Sequence, residues 1–360
     1  MDIEELIKTN AEKAAEKFIE IANSSEYPSF QNLIEIGTKI AERVSDHIKG
    51  RVLGTLGNLY YAMGDFEKAE KTYLDTLNLY IDLAKENEEY MKYVAGALFN
   101  LGNLYQAKRK YDEAEKAYND AINVLNFVKD EGMLSNVLTA LGTMYARTGQ
   151  DDKAEKTLIK AFEVKKKTAK SIEDARELGK ILNNLAVVLI RNNRKKEAEI
   201  LLNKALETFE KLDAYEELAS VLQNLYSLLD SDEILNKLEM LEKKLLPDLR
   251  AKIWYVKAKK LEKLGKTEDS AKNYVKAACY AFLAYRKYGI SSVNFIHCLE
   301  KAEDLGVDFA RVLRSAILRV YFNVNIENFE EVIGKLKGLD GEPIKDVVET
   351  VLKDLGHLKS

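Results

Sequence analysis

Hydrophobic residues recur at helical spacing along most of the chain, and between Leu53 and Ala205 they fall into one pattern four times over. Each copy runs Leu, a second Leu three residues on, a small residue next to it, then Tyr or Leu three further along. Ala follows twelve residues after the small residue, and Ala or Thr seven after that. The copies are Leu53-Leu56-Gly57-Tyr60-Ala69-Thr76, Leu98-Leu101-Gly102-Tyr105-Ala114-Ala121, Leu138-Leu141-Gly142-Tyr145-Ala154-Ala161 and Leu182-Leu185-Ala186-Leu189-Ala198-Ala205. The first four positions of a copy fall at i, i+3, i+4 and i+7, one apolar stripe on a helix. The last two share a face of a second helix. Turn residues lie between them: Gly64-Asp65, Lys110-Tyr111-Asp112, Gly149-Gln150-Asp151 and Asn192-Asn193. Asp65, Asp112 and Asp151 are placed to cap the second helix or to sit in its first turn. Each copy therefore predicts an antiparallel helix pair, and the repetition predicts an all-α solenoid in which each pair buries its stripe against its neighbours.

The small residues bear on how the helices pack. Gly57, Gly102, Gly142 and Ala186 are expected to face Ala69, Ala114, Ala154 and Ala198 of the partner helix. Without bulk there, the axes can close to roughly 8–10 Å. Glycine inside a helix costs about 1 kcal/mol against alanine, so its return at one offset implies a packing constraint.

Weaker elements flank the four copies. Residues 2–23 read as a helix, broken at Ser24-Ser25-Glu26-Tyr27-Pro28, and 29–48 as a second with Phe30, Leu33, Ile34, Gly37, Ile40, Ala41 and Val44 on one side. This pair, 1–49, is a degenerate repeat or a cap. The array proper spans 50–246, with four clear repeats and a degenerate fifth marked by Leu222, Leu225, Tyr226 and Leu229. Pro247 ends the fifth copy, and the break near 246 reads as a worn repeat rather than a hinge. Residues 247–360 hold a sixth pair with Trp254, Ala258, Leu261, Gly265, Ser270, Tyr274 and Ala277. A pair at 290–304 and 308–321 and capping helices at Glu327–Lys337 and Pro343–Leu358 complete it. Val320–Val324 is the one strand-like stretch, and its surroundings keep helical spacing.

The run from Leu56 to Ala69, with Leu101-Gly102-Asn103-Leu104-Tyr105, resembles the tetratricopeptide repeat family, and the resemblance covers 50–210. There are two departures. Leu stands where the family's first helix usually carries Trp, and the Pro that commonly ends a repeat is missing. The small residues are also spaced by 45, 40 and 44, where about 34 is usual. Extra turns lengthen the helices, as in the long-repeat branch that includes kinesin light chain. The resemblance implies a right-handed superhelical solenoid of antiparallel helix pairs with degenerate terminal pairs. It also implies a non-enzymatic scaffold whose first helices line a concave groove for an extended peptide.

On the face beside the apolar stripe those first helices carry a polar ladder: Asn58, Asn100, Asn103, Asn183, Asn184, Gln223 and Asn224, with Thr143 and Ser227. Asparagine is a mediocre helix former, so its repetition on one face asks for a reason. A carboxamide both donates and accepts, and can bond a peptide backbone without regard to its sequence. The competing reading is that these amides bond one another or nearby backbone. The branch of the family that grips a C-terminal carboxylate would need basic residues where Gly54, Asn136 and Ala140 stand, so that activity is not expected. Arg147, Lys180 and Arg191 read as solvated helix ends.

Composition narrows the partners. The net charge is −4 with 32% charged residues of mixed sign, and no basic stripe, which argues against nucleic acid. Cys279 and Cys298 in apolar helical contexts suggest a reducing compartment. No apolar run approaches a membrane span and the chain opens on Met1-Asp2-Ile3-Glu4-Glu5, so a cytoplasmic protein without membrane insertion is expected. Abundant Lys and Glu with few Gln, Cys and His point to a thermophile, against which the many Asn count. No cofactor, metal or catalytic residue is expected. His47, His297 and His357 are far apart, and Gly265-Lys266 lacks the upstream glycine of a phosphate loop. Tyr60, Tyr105 and Tyr145 are assigned to the core. The expected partner is a protein or peptide, with a homo-oligomer admitted through the worn repeats at 214–246 and 290–321. The alternatives are a SNAP-like adaptor in membrane fusion, on a faint likeness at 253–281, and a regulatory repeat subunit of a separate effector.

Overall fold

The computed structural model describes residues 3–24, 29–289 and 291–358, which hold helices and connections and no strand. The break expected at 24–28 lies, apart from Ser24, outside the described residues. The chain divides into two compact units, 1–201 and 202–360.

The first unit runs α1 (Ile3–Thr9), α2 (Ala11–Asn23), α3 (Phe30–Ala41), α4 (Asp46–Ala62), α5 (Phe66–Glu86), α6 (Met91–Ala107), α7 (Tyr111–Val128), α8 (Glu131–Arg147), α9 (Asp151–Thr168) and α10 (Ile172–Arg191), and ends within α11 (Lys195–Lys211). Its expected antiparallel pairs are present as α4 with α5, α6 with α7 and α8 with α9. The second unit takes up the rest of α11 and continues through α12 (Tyr215–Leu229), α13 (Asp232–Leu241), α14 (Pro247–Lys263), α15 (Thr267–Tyr288), α16 (Phe295–Asp304), α17 (Asp308–Phe322), α18 (Phe329–Leu336) and α19 (Ile344–Leu358). Its core centres on α15, whose Tyr274, Val275, Ala278 and Phe282 are all buried.

Local chemistry explains where the elements start and stop. Asp65 caps α5, its Oδ1 accepting the Lys68 N–H at 3.1 Å, and Asp112 and Asp151 lie in the first turns of α7 and α9. The single helix expected over 2–23 is two. The Asn10 Oδ1 accepts the Lys13 N–H at 3.0 Å and starts α2 afresh. The helix expected over 29–48 stops at Ala41; extended backbone at Ser45 then opens α4 at Asp46, so the boundary drawn at 49/50 falls inside α4. Val320–Val324 enters α17 through Phe322.

The turn between paired helices needs one residue in the left-handed region. Gly64 (φ 78°) and Gly149 (φ 76°) fill it without strain, whereas the second and fourth copies place Arg109 (φ 58°) and Asn193 (φ 60°) there.

The packing of the repeat glycines differs from expectation. Gly57, Gly102 and Gly142 do not chiefly face Ala69, Ala114 and Ala154. They face the residue one turn further along the partner helix. A Cβ on Gly57 would collide with the Tyr73 ring, one on Gly102 would lie 2.5 Å from the Tyr118 ring, and one on Gly142 2.7 Å from Leu158 Cγ. The alanines are buried beside these contacts, and Tyr118 and Leu158 are wholly buried themselves. Each glycine is thus a notch filled by a large side chain.

Two outcomes follow for stability. In thermal or chemical unfolding, Gly102→Ala lowers stability by about 1–3 kcal/mol, because the Tyr118 ring must move. Arg109→Gly raises it by about 1 kcal/mol through relief of the left-handed backbone.

Candidate functional site

Asparagines follow two of the notch glycines directly, and the tyrosines that fill the notches reach them. The Tyr73 hydroxyl donates to Asn58 Oδ1 at 2.7 Å and the Tyr118 hydroxyl to Asn103 Oδ1 at 2.8 Å, with Gln106 Oε1 a second acceptor 3.1 Å from the Tyr118 hydroxyl. In the third copy Leu158 fills the notch, has no hydroxyl to place, and Thr143 stands where the asparagine was. Thr143 instead accepts from Asn184 Nδ2 at 3.1 Å, linking α8 to α10. Part of the polar ladder therefore bonds within the protein. Asn100, Asn183, Gln223 and Asn224 are half-buried, and Asn58 is exposed.

In the first unit a cleft of about 440 Å³ opens over α4 and α6, bounded by α2, α5 and the start of α8. Asn58 and Asn100 line it. Gly54 and Gly96 line it too, and they differ from the notch glycines. Among the described residues, a Cβ on Gly54 would meet only Thr76 Cγ2, at 4.0 Å, and one on Gly96 only Met133 Cε, at 3.6 Å. No neighbouring side chain requires glycine at either position. Tyr80 and Tyr93 stack in the wall with centroids 4.9 Å apart and planes 17° from parallel. Burial raises the Tyr80 hydroxyl pKa well above its ordinary value, so it stays neutral. Arg51 and Lys92 also line the cleft, the Lys92 ammonium lying 5.0 Å from the Tyr93 centroid. Neither has an ion-pair partner among the described residues.

The second unit has its own polar cleft, of about 340 Å³, lined by Gln223, Asn224 and Ser227 of α12, by Lys252 and Tyr255 of α14, and by His297. Gln223 Nε2 is buried there without a hydrogen-bond partner among the described residues. At its edge Asp248 accepts from the Ser292 N–H at 2.7 Å and from the Ser292 hydroxyl. Burial pushes the Asp248 pKa up, but these bonds and Lys252 outweigh it and hold the carboxyl below its ordinary range.

Several expectations are refined. Arg191, exposed at the end of α10 as expected, is also anchored: its guanidinium donates to the Ala146 carbonyl at 2.6 Å and pairs with Asp151 at 2.8 Å. Lys180 pairs with Glu177 on its own helix at 3.0 Å. Tyr145 is buried as assigned, while Tyr60 and Tyr105 are half-buried beneath Lys68 and Lys110. Of the three histidines, the side chain of His357 lies outside the described residues. Burial pushes both thiols, Cys279 and Cys298, up to about 12.

A second ladder went unread in the sequence. A glutamate follows each repeat alanine, and three of them reach forward to the next repeat. Glu70 bonds Lys108 at 2.5 Å. Glu115 accepts the Tyr145 hydroxyl at 2.7 Å and pairs with Lys153 at 3.4 Å. Glu155 pairs with Arg194 at 2.5 Å. The signal was the Ala-Glu dipeptide of Ala69-Glu70, Ala114-Glu115, Ala154-Glu155 and Ala198-Glu199.

Comparison with known proteins gives the fold an outside reference. Tetratricopeptide repeat models match residues 52–86, 93–167 and 179–212. No curated protein matches the sequence. Among solved structures, the apo form of RapI is 18% identical, with 77% of this chain and 94% of that one covered at a TM-score of 0.52. Aspartyl phosphate phosphatase F from Bacillus subtilis is 13% identical, with 84% and 73% covered and a TM-score of 0.55. A signal transduction ATPase with numerous domains and a tetratricopeptide repeat sensor, from Pyrococcus horikoshii, is 18% identical, with 93% and 45% covered and a TM-score of 0.50. Likeness at these identities establishes the fold.

Acid titration tests the polar chemistry at one repeat junction. The Lys170 N–H, then the Ser171 hydroxyl and N–H, hold the Asp174 pKa at about 2, below its ordinary 3.8. A depressed carboxylate pKa stabilises the fold above the unfolded value, and that contribution is lost as pH falls through the folded one. The melting temperature should fall as pH drops from 3.8 towards about 2, and Asp174→Asn should flatten that part of the profile.

Proposed function

Given that the chain belongs to the tetratricopeptide repeat family, we propose that it is a non-enzymatic scaffold that holds an extended peptide segment of a partner protein against its first helices. The observation that carries this reading is the floor of the first unit's cleft. Gly54 and Gly96 each weaken a helix interior by about 1 kcal/mol against alanine, yet neither is required by packing. Their bareness gives a ligand backbone room to approach the helices closely.

An extended peptide arrives with N–H and C=O groups unpaired at every residue. Carboxamides supply both complements, which suits Asn58 and Asn100 at the edge of that floor. The Tyr73 hydroxyl occupies Asn58 Oδ1, which fixes the amide and directs its Nδ2 to the donor role. Tyr80 and Tyr93 offer a flat apolar wall to a side chain of the peptide. Asn103 and Asn183 take the same role in the copies where they stand, and Asn184, whose Nδ2 is held by Thr143, offers its Oδ1 as an acceptor. Gln223 and Asn224 do so in the second unit's own cleft, where Gln223 Nε2 is a donor lacking a partner. Nothing in this chemistry calls for a bound cofactor.

Selection from a displayed library of random linear peptides tests the proposal. Enriched peptides should bind the full chain, and Gly96→Leu and Asn100→Ala should each weaken them about tenfold, equivalent to about 1.4 kcal/mol, with the melting temperature held or raised. Failure to enrich any peptide, or affinities indifferent to both substitutions, would contradict it.

A further inference from the structure

We propose that the cleft between α17 and α18 is a docking site for a basic amphipathic helix of a partner protein. This cleft, of about 690 Å³, lies outside the repeat-matched segments and shares no residue with either polar cleft. Its floor is apolar: Phe309 and Val312 from α17, Val332 from α18 and Leu339 beyond it, all half-buried. Its mouth is acidic. Glu303, Asp308, Glu327 and Glu331 line it against two cations, Arg311 and Lys335.

Those two cations are already engaged. Lys335 pairs with Glu331 at 2.7 Å and Arg311 with Glu303 at 3.9 Å, and Arg314 behind them bonds Glu303 at 2.6 Å. The excess negative charge therefore rests on Asp308 and Glu327, neither of which has an ion-pair partner among the described residues. An apolar floor beneath an uncompensated acidic mouth is complementary to lysine or arginine flanking an apolar stripe.

The lining also says which backbone form the occupant takes. Apart from Ser315 and Asn328, it has no uncharged polar side chains to pair with an extended strand. A helix satisfies its own backbone and needs only side-chain complementarity. Apolar residues at i, i+3 or i+4, and i+7 of such a helix span roughly 10 Å, enough to lie along the floor between the two helices. The charge, the apolar floor and the scarcity of uncharged polar side chains thus select a basic amphipathic helix over an extended peptide.

Fluorescence anisotropy with the full chain tests this. The probe is a labelled model helix of Leu and Lys in amphipathic order, set beside the same helix with Glu in place of Lys. The Lys helix should bind at least about tenfold tighter than the Glu helix. The double reversal Asp308→Lys with Glu327→Lys, at exposed positions that leave the core intact, should weaken the Lys helix about tenfold and strengthen the Glu helix. The matched double reversal Glu67→Lys with Asp152→Lys, at exposed first-turn acids of α5 and α9, should leave both affinities unchanged. Equal binding of the two helices, or equal loss from the two double reversals, would overturn the proposal, since binding would then follow net charge rather than this cleft.

Discussion

The close approach of a large side chain to a helix glycine is the contact on which the repeat depends. Tyr73, Tyr118 and Leu158 occupy the space that a Cβ on Gly57, Gly102 and Gly142 would need. Each sits sixteen residues after its glycine, so the contact sets both the spacing and the axial register of a helix pair. The tyrosines then carry the constraint to the surface. Their hydroxyls end on Asn58 and Asn103, the residues beside the notches. Packing and polar orientation are coupled in one unit of glycine, asparagine and tyrosine, and where the ring is lost at Leu158 the asparagine is lost with it.

Helix glycine serves two purposes in this chain, and a sequence pattern alone does not separate them. Gly57, Gly102 and Gly142 recur at a fixed offset and are filled from the partner helix. Gly54 and Gly96 occupy different offsets in their repeats, and a Cβ there would make no close contact. The first class explains the fold. The second has no account in packing, and it lies in a cleft with carboxamides, stacked tyrosines and two cations, Arg51 and Lys92, without ion-pair partners among the described residues. The proposed recognition therefore rests on residues that depart from the repeat rather than on those that define it.

The helix pairs, their turns and the Asp65 cap were legible in the sequence because they depend on local spacing and on short-range backbone bonds. The notch partners were not. The alanine ladder identifies the buried face of the second helix, but which residue on that face fills the glycine depends on the axial offset between the helices, and the true partner lies one turn further on. Asn10 was missed because a helical hydrophobic pattern runs through it while its side chain captures a backbone N–H and restarts the helix. The roles of Glu70, Glu115 and Glu155 were not legible, because their partners lie in the next repeat, beyond any helical neighbour. For the polar ladder, the sequence named residues on one face and left two roles open. Asn103 and Asn184 bond within the protein, Asn58 does so while also lining the first unit's cleft, and Asn100 lines that cleft beside bare glycine.

A double-mutant cycle between Gly102 and Tyr118 tests the notch most directly. Stability is measured for the parent, Gly102→Ala, Tyr118→Ala and the double variant. If the ring fills the notch, the penalty of Gly102→Ala seen in the parent disappears in the Tyr118→Ala background, where the added methyl enters vacated space and helix propensity favours alanine. The same penalty in both backgrounds would show that glycine is required there for a reason other than the tyrosine, and would contradict the account.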